Sequence, residues 1–373
     1  MLMRILQLGK FYPVSGGVER VMVDLLQGLS DQGLICDMLC CHAVVGASRR
    51  VVEVASNAHI ICEKSLLKKY STMISIQMII ELRRICRNYD IIHVHHPDPM
   101  AALALLLSGY KGKVVVHWHS DILSQRSLLR LYMPLQNWLL RRAAVVVGTT
   151  PVYVQQSPHL QAVQKKCTYL PIGTHPVVWN DERVARIRAQ YPGKHIVFSL
   201  GRLVRYKGFE YLVEAARELS DDYVVLIGGG GELREKLQDR IDIYGLSDRV
   251  KLLGRVPDED LPNYFQACDL FCLSSILRTE AFAIVQLEAM SCGKPIVATN
   301  IPGSGVSWVN AHGVSGLNVP VADSHALAEA LISIMENESL RKRLSQGASR
   351  RYKEIFQFDE MIDGCRKIYQ SLF

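Results

Sequence analysis

The stretch that decides the fold class is "HIVFSLGRLVRYKGFEYLVEAARELS", from His195 to Ser220. It begins with a six-residue apolar run, passes through a turn that carries glycines and cations, and continues with helical apolar spacing over 209–220. Strands that are apolar on both faces are typical of parallel sheets, in which helices connect the strands. The stretch therefore predicts one strand–turn–helix unit of an α/β domain.

Similar units occur in both halves of the chain. The strand candidates are "RILQLG", "CDMLCCH", "IIHVHH", "KVVVHWH" and "AAVVVGTT", followed by "HIVFSLGR", "YVVLIGGG", "RVKLLGRV", "DLFCLSS" and "KPIVATN". Between the two series, residues 170–194 carry Pro and Gly without strand periodicity, which indicates a join. The length of 373 residues also favours two domains over one core. We therefore predict two doubly wound α/β units in series.

The composition is that of an ordinary folded protein, with 49% hydrophobic and 21% charged residues. The ten cysteines show no zinc-like spacing, which predicts a reducing compartment and no structural metal. The amino-terminal apolar run is too short for a signal peptide, and "MAALALLL" at 100–107 has the length of a buried helix rather than of a membrane span. We expect a cytoplasmic protein that is soluble or peripheral to a membrane.

The net charge of +7 is concentrated in the first half of the chain. The basic groups there are Lys64, Lys68, Lys69, Arg83, Arg84, Arg87, Arg126, Arg130, Arg141 and Arg142. The segment "SLLRLYMPLQNWLLRRAA", residues 127–144, predicts a basic amphipathic helix that either lies on an anionic bilayer or packs on the core with solvated arginines. No nucleic-acid-binding motif accompanies the charge, so we expect no nucleic acid partner.

Polar groups and glycines follow the predicted strands, at the sheet edge where open α/β domains bind ligands. Gly16 and Gly17 open a helix, where exposed backbone N–H groups could approach an anion or a sugar. Arg202 and Lys207 leave one strand end, where they either clamp a diphosphate or belong to a solvated turn. The glycines of Gly228–Gly231 indicate either close approach of a ligand or a tight turn.

Histidines end two strands of the first half. His119 follows "VVVHW", and His95, His96 and Asp98 lie at the end of "IIHVHH". A histidine at such an edge can donate to an anion or orient a hydroxyl, or it can be a buried structural residue. We favour the functional interpretation for His119 and assign the other three to the acceptor side.

The segment "RTEAFAIVQLEAM", from Arg278 to Met290, places two glutamates eight residues apart. If a helix begins near Phe282, Glu280 lies in the preceding loop and Glu288 on the second turn, too far apart to be a catalytic pair. The free N–H groups at the start of that helix could hold phosphate, with one carboxylate at each end of an elongated ligand. The alternative is that the two acids serve only the helix terminus and the surface.

Four motifs together resemble the retaining GT-B glycosyltransferases of family 4. They are "SGGVERV", "GRLVRYKG", "GGGGELREKL" and the two glutamates with their sequel "EAMSCGKPIVATNIPGSG". The resemblance implies the GT-B fold, with two Rossmann-like doubly wound domains facing an interdomain cleft. It also implies an acceptor domain over 1–173, a nucleotide-sugar donor domain over 174–355 and a carboxyl-terminal helix over 356–373 that returns to the first domain.

The resemblance further implies a retaining hexosyltransferase that uses a nucleotide diphosphate sugar and a lipid-linked or saccharide acceptor. The similarity to bacterial O-antigen and capsule mannosyltransferases makes GDP-mannose the first donor candidate and a UDP-hexose the second. A sugar-nucleotide epimerase of the same architecture and a non-catalytic, lipid-docked assembly factor remain as alternatives. Peripheral contact with an anionic membrane, at the cytoplasmic face of the inner membrane, would suit a lipid-linked acceptor.

By the same resemblance, the catalytic residues are Glu280, His119, Arg202 and Lys207. Glu280 would contact hydroxyls of the transferred sugar, Glu288 the ribose, and His119 the reacting sugar. Arg202 and Lys207 would bind the diphosphate. Further donor contacts are implied for Gly16, Gly17, Arg255, Val256, Phe282, Ala283, Ile284 and Val285.

The sequence departs from the family pattern at three places. Ala281 and Ala283 stand where the family often has glycine, and Pro171-Ile172-Gly173 replaces the common Pro-Asn-Gly. No DxD motif follows a strand, because "DED" at 258–260 has the pattern of a helix start. The implied reaction therefore needs no metal or cofactor, and cationic side chains with helix-end amides stabilise the leaving diphosphate.

Overall fold

The computed structural model describes residues 3–14, 16–69, 72–122 and 126–373, and the side chains of all of these except 126–128. The chain forms two compact units. The first comprises Met1–Ile172 together with Phe358–Phe373, and the second comprises Gly173–Gln357. The side chain of Arg126, one of the predicted basic groups, lies outside the described part.

The first unit is built on a mostly parallel sheet with the strand order β10-β9-β8-β7-β1-β2-β4-β3, in which only the edge strand β3 pairs antiparallel. The strands are β1 Arg4–Tyr12, β2 Ile35–His42, β3 Arg50–Ala55, β4 Ala58–Glu63, β7 Ile91–His96, β8 Lys113–Trp118, β9 Val145–Gly148 and β10 Cys167–Tyr169. A separate two-stranded antiparallel sheet consists of β5 Leu67–Lys69 and β6 Thr72–Ile74. The order reverses between β1 and β7, which is the switch point of this sheet.

Helices of the first unit pack in two groups. The helices of this unit are α1 Gly17–Asp31, α2 Ile76–Ile85, α3 Pro99–Ser108, α4 Arg126–Arg142, α5 Pro151–Gln156 and α14 Phe358–Gln370. Helix α3 packs between α2 and α4, whereas α14 packs on α1. Gly28 allows this second contact, because a Cβ there would lie 2.4 Å from the Ile362 side chain of α14. The chain end is thus part of the first unit's core.

The second unit has a wholly parallel sheet with the order β13-β12-β11-β14-β15-β16. Its strands are β11 His195–Leu200, β12 Tyr223–Gly228, β13 Val250–Gly254, β14 Leu270–Leu273, β15 Ile296–Thr299 and β16 Gly316–Val319. Its helices are α6 Asp181–Ala189, α7 Phe209–Ala215, α8 Arg234–Ile243, α9 Leu261–Ala267, α10 Val285–Ser291, α11 Val306–Val309, α12 Ser324–Glu336 and α13 Glu338–Ile355. This is the doubly wound order of a dinucleotide-binding sheet, with its switch point between β11 and β14.

Every strand quoted from the sequence forms, and the strands that were not predicted lie at or near the sheet edges. The predicted helix over 209–220 is wrong in length, because α7 ends at Ala215. The next residues turn through short-range bonds, in which Arg217 N–H donates to the Glu214 carbonyl. That turn brings the chain to the start of β12. Within the described residues, no helix is both long enough and apolar enough to cross a membrane.

Candidate functional site

The switch point of the second sheet brings two chain segments together. The segment after β11 passes Arg202 and a short 3₁₀ turn, Arg205–Lys207, before α7. The segment after β14 runs through Ser275 to Glu280. Since the carboxyl ends of parallel strands share one sheet edge, the β11 cations and the β14 glutamate meet there.

Lys207 and Glu280 form an ion pair at this point, and each side chain is only 11% exposed. Ser275 Oγ donates to the same carboxylate oxygen, Glu280 Oε2, at 2.9 Å. Ser304 Oγ donates to the backbone carbonyl of Glu280. Both the side chain and the backbone of Glu280 are therefore fixed before any ligand binds.

Arg202 differs from Lys207 in its surroundings. Its side chain is exposed, and it makes one long hydrogen bond, 3.5 Å from Nη2 to the Tyr206 hydroxyl. The Lys207 ammonium lies 5.6 Å from the centre of the Tyr206 ring. The structure thus brings Lys207 to Glu280 and leaves the Arg202 guanidinium toward solvent.

A glycine allows the two loops to cross. Gly208 has a left-handed φ of +63°, and a Cβ there would lie 2.3 Å from the Ser274 carbonyl oxygen. Ser274 Oγ in turn donates to the Lys207 carbonyl at 3.0 Å. The position of Lys207 therefore depends on the absence of a side chain at the next residue.

Two glycines of the run Gly228–Gly231 lie directly against the chain's own backbone. Gly229 has φ +128°, and a Cβ there would lie 1.9 Å from the Gly201 carbonyl oxygen. A Cβ on Gly231 would lie 2.5 Å from the Leu203 carbonyl oxygen. Close approach to the loop after β11 therefore accounts for Gly229 and Gly231, whereas a Cβ on Gly230 would meet nothing within 4 Å.

Helix α10 begins later than predicted. It starts at Val285 rather than near Phe282, so Glu288 lies in its first turn and not in its second. The reason is Ala283, whose φ of +62° is left-handed and incompatible with helix. The amides of Phe282, Ala283 and Ile284 make no hydrogen bond within the described part of the chain.

The other predicted donor residues also lie in the second unit. Glu280 is in the loop before α10, as expected, and Glu288 is half-buried on the helix. After β13, Arg255 is exposed and Val256 is buried against Gly228. Asp260 is the residue before α9 and pairs with Arg183 at 2.6 Å, so "DED" is a helix start as predicted.

In the first unit, the loop after β1 holds the predicted glycines. Gly16 is the extended residue before α1 and Gly17 is its first residue. A Cβ on Gly16 would lie 2.8 Å from Glu19 Oε2, so this carboxylate occupies the space beside the turn. Burial raises the pKa of Glu19, and the nearby charge of Lys10 opposes that shift. Neither Lys10 nor Glu19 was predicted from the sequence as a site residue.

Asp98 caps helix α3. One of its carboxylate oxygens accepts from the backbone N–H of Met100 at 2.9 Å and of Ala101 at 3.2 Å, and the other accepts from Lys10 N–H. Burial raises the pKa of Asp98, and the same hydrogen bonds act against that shift. These contacts give Asp98 a structural role, and its acceptor-side role stays a prediction.

The predicted histidines separate onto the two faces of the sheet. On one face, His93, His95, His117 and His119 stack in pairs, with the His117 and His119 ring centres 4.1 Å apart; we call these four the histidine cluster. On the other face, His96 stacks on Trp118 at 3.6 Å. His95 and His119 are therefore brought together, and His96 is not.

All five of these histidines are buried, which lowers the pKa of each ring. For His96 and His117, the pKa falls to about 3. For His119, desolvation acts together with the neighbouring histidines and Lys10. The rings are therefore neutral near pH 7.

Three rings of the cluster, His93, His95 and His117, place ligand nitrogens within 4.8 Å of one another, the spacing of a metal site. Their geometry does not fit an ion, because the rings of His93 and His117 are within 6° of parallel and their centres are 5.3 Å apart. In-plane lone pairs of stacked rings do not converge on one point, as tetrahedral coordination requires. Both nitrogens of His95 are also already hydrogen-bonded.

The chain matches two protein-family models and has full-length relatives. Residues 180–351 match the family model described as glycosyl transferases group 1, and residues 15–175 match glycosyltransferase family 4. The chain is 35% identical to the O-antigen chain mannosyltransferase C of Escherichia coli, over 99% of each chain. It is 30% identical to the D-rhamnosyltransferase WbpZ of Pseudomonas aeruginosa, over 95% of this chain and 92% of the relative.

Solved structures also resemble the chain as a whole. Sucrose-phosphate synthase from Thermosynechococcus elongatus superposes with a TM-score of 0.80 at 21% identity, over 99% of each chain. HepE of Anabaena, solved in complex with UDP, has a TM-score of 0.78 at 21% identity, over 99% of this chain and 100% of HepE. These similarities confirm the predicted GT-B fold class.

Proposed function

The chain belongs to the family 4, or group 1, glycosyltransferases, and on that premise we propose that it transfers a hexose from a nucleotide diphosphate sugar to a lipid-linked or saccharide acceptor in surface polysaccharide synthesis. The predicted family and the predicted enzyme class, a glycosyltransferase, are confirmed by the two family matches and the full-length relative. GDP-mannose is the first donor candidate, because that relative is named a mannosyltransferase. A UDP-hexose is the second, because HepE was solved with UDP.

The observation that carries the proposal is the Lys207–Glu280 pair at the switch point of the second sheet. A doubly wound sheet binds nucleotides at this place, and a cation there suits a diphosphate. Glu280 already accepts from Lys207 and Ser275, so its carboxylate is held in a fixed orientation. We assign it the orientation of the sugar by hydrogen bonding, not general base catalysis.

The exposed guanidinium of Arg202 supports a second contact with the diphosphate. Arginine binds phosphate oxygens in a bidentate manner, and Lys207 adds a point charge. Together they would stabilise the negative charge that develops on the leaving group, without a metal ion. The unpaired amides of Phe282, Ala283 and Ile284 would add hydrogen bonds to phosphate oxygens.

In the proposed reaction, the acceptor hydroxyl attacks the anomeric carbon on the face that the diphosphate leaves. The bond between the anomeric carbon and the phosphate oxygen breaks as the new glycosidic bond forms. The departing diphosphate takes the proton of the acceptor hydroxyl, which yields retained configuration. No residue of the chain needs to become covalently bound.

A thermal-shift screen with GDP-, UDP-, ADP- and dTDP-sugars tests the donor class. One nucleotide should raise the melting temperature well above the others, since only the folded state binds it. Arg202→Ala should weaken binding of that nucleotide about tenfold, the loss of one charge-assisted contact. Arg205→Ala, an exposed arginine in the same turn, is the matched control and should leave affinity unchanged.

Three outcomes would contradict parts of this proposal. If no nucleotide sugar stabilises the chain, the donor assignment is wrong. If the donor sugar is converted without any acceptor, the enzyme is an epimerase rather than a transferase. If chelator-treated enzyme loses turnover and Mg²⁺ restores it, the metal-independent mechanism is wrong.

We also propose that the first unit contacts an anionic membrane, through a wider surface than helix α4. Helix α3 is apolar around its whole circumference, yet Leu103, Leu106 and Leu107 are 37%, 42% and 49% exposed. An all-apolar helix with an exposed face is unusual in a soluble protein and indicates an interaction surface. The segment 100–107 is therefore only partly the buried helix that the sequence suggested.

The helices on either side of α3 supply apolar and basic groups. The exposed side chains are Ile76, Ile80 and Arg83 on α2, Arg87 in the 3₁₀ turn Cys86–Asn88 that follows α2, and Arg130, Leu131 and Arg141 on α4. Leucines that enter the interface and arginines that meet acidic headgroups are the combination that binds an anionic bilayer. This surface would hold the enzyme where a lipid-linked acceptor resides.

Co-sedimentation with vesicles that contain or lack phosphatidylglycerol tests this surface. The enzyme should bind only the anionic vesicles, and the double variant Leu103→Glu/Leu107→Glu should lose binding while keeping its melting temperature. Ile243→Glu, a 78% exposed residue of α8 in the second unit, is the control and should not change binding. Equal binding by the double variant would refute the proposal.

A further inference from the structure

A chain of hydrogen bonds leads from β1 to His119. Gln7 Oε1 lies 2.6 Å from His95 Nε2, and His95 Nδ1 lies 2.9 Å from His119 Nε2. All three side chains are buried, and Gln7 and His95 are fully so. Each contact is short enough to be a hydrogen bond, so each must contain one donor and one acceptor.

The amide of Gln7 is oriented from the other side. Its Nε2 donates to the Tyr369 hydroxyl at 3.2 Å and to Cys36 Sγ at 3.7 Å. The Tyr369 hydroxyl also lies 2.5 Å from His93 Nδ1. Tyr369 belongs to α14, so the last helix of the chain supplies the group that orients Gln7.

With Gln7 Oε1 as acceptor, the protons along the chain follow by elimination. His95 must carry its proton on Nε2, which makes its Nδ1 an acceptor. His119 Nε2 must then be the donor, and its Nδ1 bears the lone pair. His119 Nδ1 makes no hydrogen bond within the described part of the chain.

We propose that Gln7 and His95 are positioning residues that fix His119 in the Nε2–H tautomer, so that His119 Nδ1 accepts a hydrogen bond from a sugar hydroxyl. Stacking on His117, with ring centres 4.1 Å apart, fixes the plane of the ring while His95 fixes its proton. Burial keeps the pKa of His119 low, so the ring stays neutral and does not act as a cation toward phosphate. Of the two roles considered for His119, this selects orientation of a hydroxyl over donation to an anion. The sugar as ligand rests on the proposed function, whereas the tautomer does not.

The tautomer is measurable in the enzyme without any ligand. The ¹⁵N shifts of labelled histidines distinguish a protonated nitrogen from one with a free lone pair. We expect His119 and His95 to carry protons on Nε2. A wild-type spectrum in which His119 is protonated on Nδ1, or on both nitrogens, would overturn the proposal.

Gln7→Leu removes the acceptor and should convert His119 to a mixture of tautomers. Gln136→Leu is the matched control, because Gln136 is an equally buried glutamine. It lies 3.2 Å from His159, a histidine that is not part of the hydrogen-bond chain from Gln7 to His119. The control should keep the wild-type tautomer. An unchanged His119 spectrum in folded Gln7→Leu would show that Gln7 does not set the tautomer.

Steady-state transfer from GDP-mannose provides the second measurement. Gln7→Leu should reduce kcat/KM about tenfold, the effect of one misdirected hydrogen bond, and Gln136→Leu should not. Wild-type rates in a Gln7→Leu enzyme with mixed tautomers would refute the role of Nδ1. If the tautomers agree but no nucleotide sugar binds, the proposed function fails and the positioning by Gln7 stands.

Discussion

The Lys207–Glu280 pair makes a prediction about stability as well as about catalysis. Both side chains are 11% exposed, and Ser275 Oγ adds a hydrogen bond to the carboxylate at 2.9 Å. Glu280→Ala removes all of these contacts and leaves a largely buried ammonium without its partner. Breaking a buried pair on one side costs about 3–5 kcal/mol, because the remaining charge stays desolvated.

The residual 11% exposure lets water reach Lys207, so we take the lower end of that range, about 3 kcal/mol, for Glu280→Ala. Glu280→Gln keeps an oxygen that can accept from Ser275 and Lys207, and should cost only about 1–2 kcal/mol. Both variants should lose most transferase activity, because the sugar is no longer held by a carboxylate. Glu280→Gln should therefore lose most activity while losing little stability, which distinguishes the two roles of the carboxylate.

The assay is urea denaturation followed by circular dichroism, with the shift in midpoint multiplied by the slope. Asp260→Ala is the control, since Asp260 pairs with Arg183 at 2.6 Å but the two side chains are 36% and 47% exposed. It should cost less than about 1 kcal/mol. If Glu280→Ala unfolds at the wild-type midpoint, the carboxylate does not compensate Lys207 and the reasoning fails.

Three further predictions concern backbone strain and protonation. Ala283→Gly should raise the free energy of unfolding by about 0.5–1 kcal/mol, because a φ of +62° suits glycine. Ala281→Gly is the control and should not raise it, because φ at Ala281 is not positive. Equal denaturation midpoints for the two variants would contradict this prediction. Gly208→Ala should lower the free energy of unfolding by about 2–4 kcal/mol, because the new Cβ would clash with Ser274. Gly313→Ala is the control, since Gly313 has a similar φ but open space around it, and it should cost about 1 kcal/mol. Thermal melts of the two variants will check this difference. Acidification should destabilise the first unit, because burial lowers the pKa values of the histidine cluster in the folded state. Below about pH 6.5 the unfolded chain therefore binds more protons than the folded chain. The free energy of unfolding should then fall by about 1.4 kcal/mol per histidine for each pH unit. A denaturation midpoint that stays constant between about pH 7.5 and about pH 5.5 would contradict it.

The sequence predicted the sheet interiors because strands buried in a parallel sheet are apolar on both faces, a pattern visible in "YVVLIG" and "HIVFSL" alike. It could not predict β3, whose residues 50–55 are exposed at an edge and owe their pairing to β4. Nor could it predict the crossing of the β11 and β14 loops. That crossing depends on Gly208 and Ser274, which are 66 positions apart in the chain and show no shared pattern.

The candidate site was predictable where one residue type dictates the chemistry. Arg202, Lys207 and Glu280 stand out as charges beside buried strands. Gln7 and Tyr369 do not, because a buried glutamine and a tyrosine near the chain end have many structural uses. Only the contact between them, 362 positions apart in sequence, shows that they share a role.

The late start of α10 changes what Glu288 can contact. A helix that began at Phe282 would place Glu288 six residues inside it, about 9 Å along the axis from its first amide. Because Ala283 is left-handed, the first helical residue is Val285, and Glu288 lies only three residues further, at about 4.5 Å. If the amides of 282–284 bind phosphate as proposed, a carboxylate at that distance would reach the ribose attached to the phosphates, but not the base beyond it. We therefore expect Glu288→Ala to weaken binding of every nucleoside diphosphate by a similar factor, measured by calorimetry with GDP, UDP and ADP. Loss confined to one base would mean that Glu288 contacts the base.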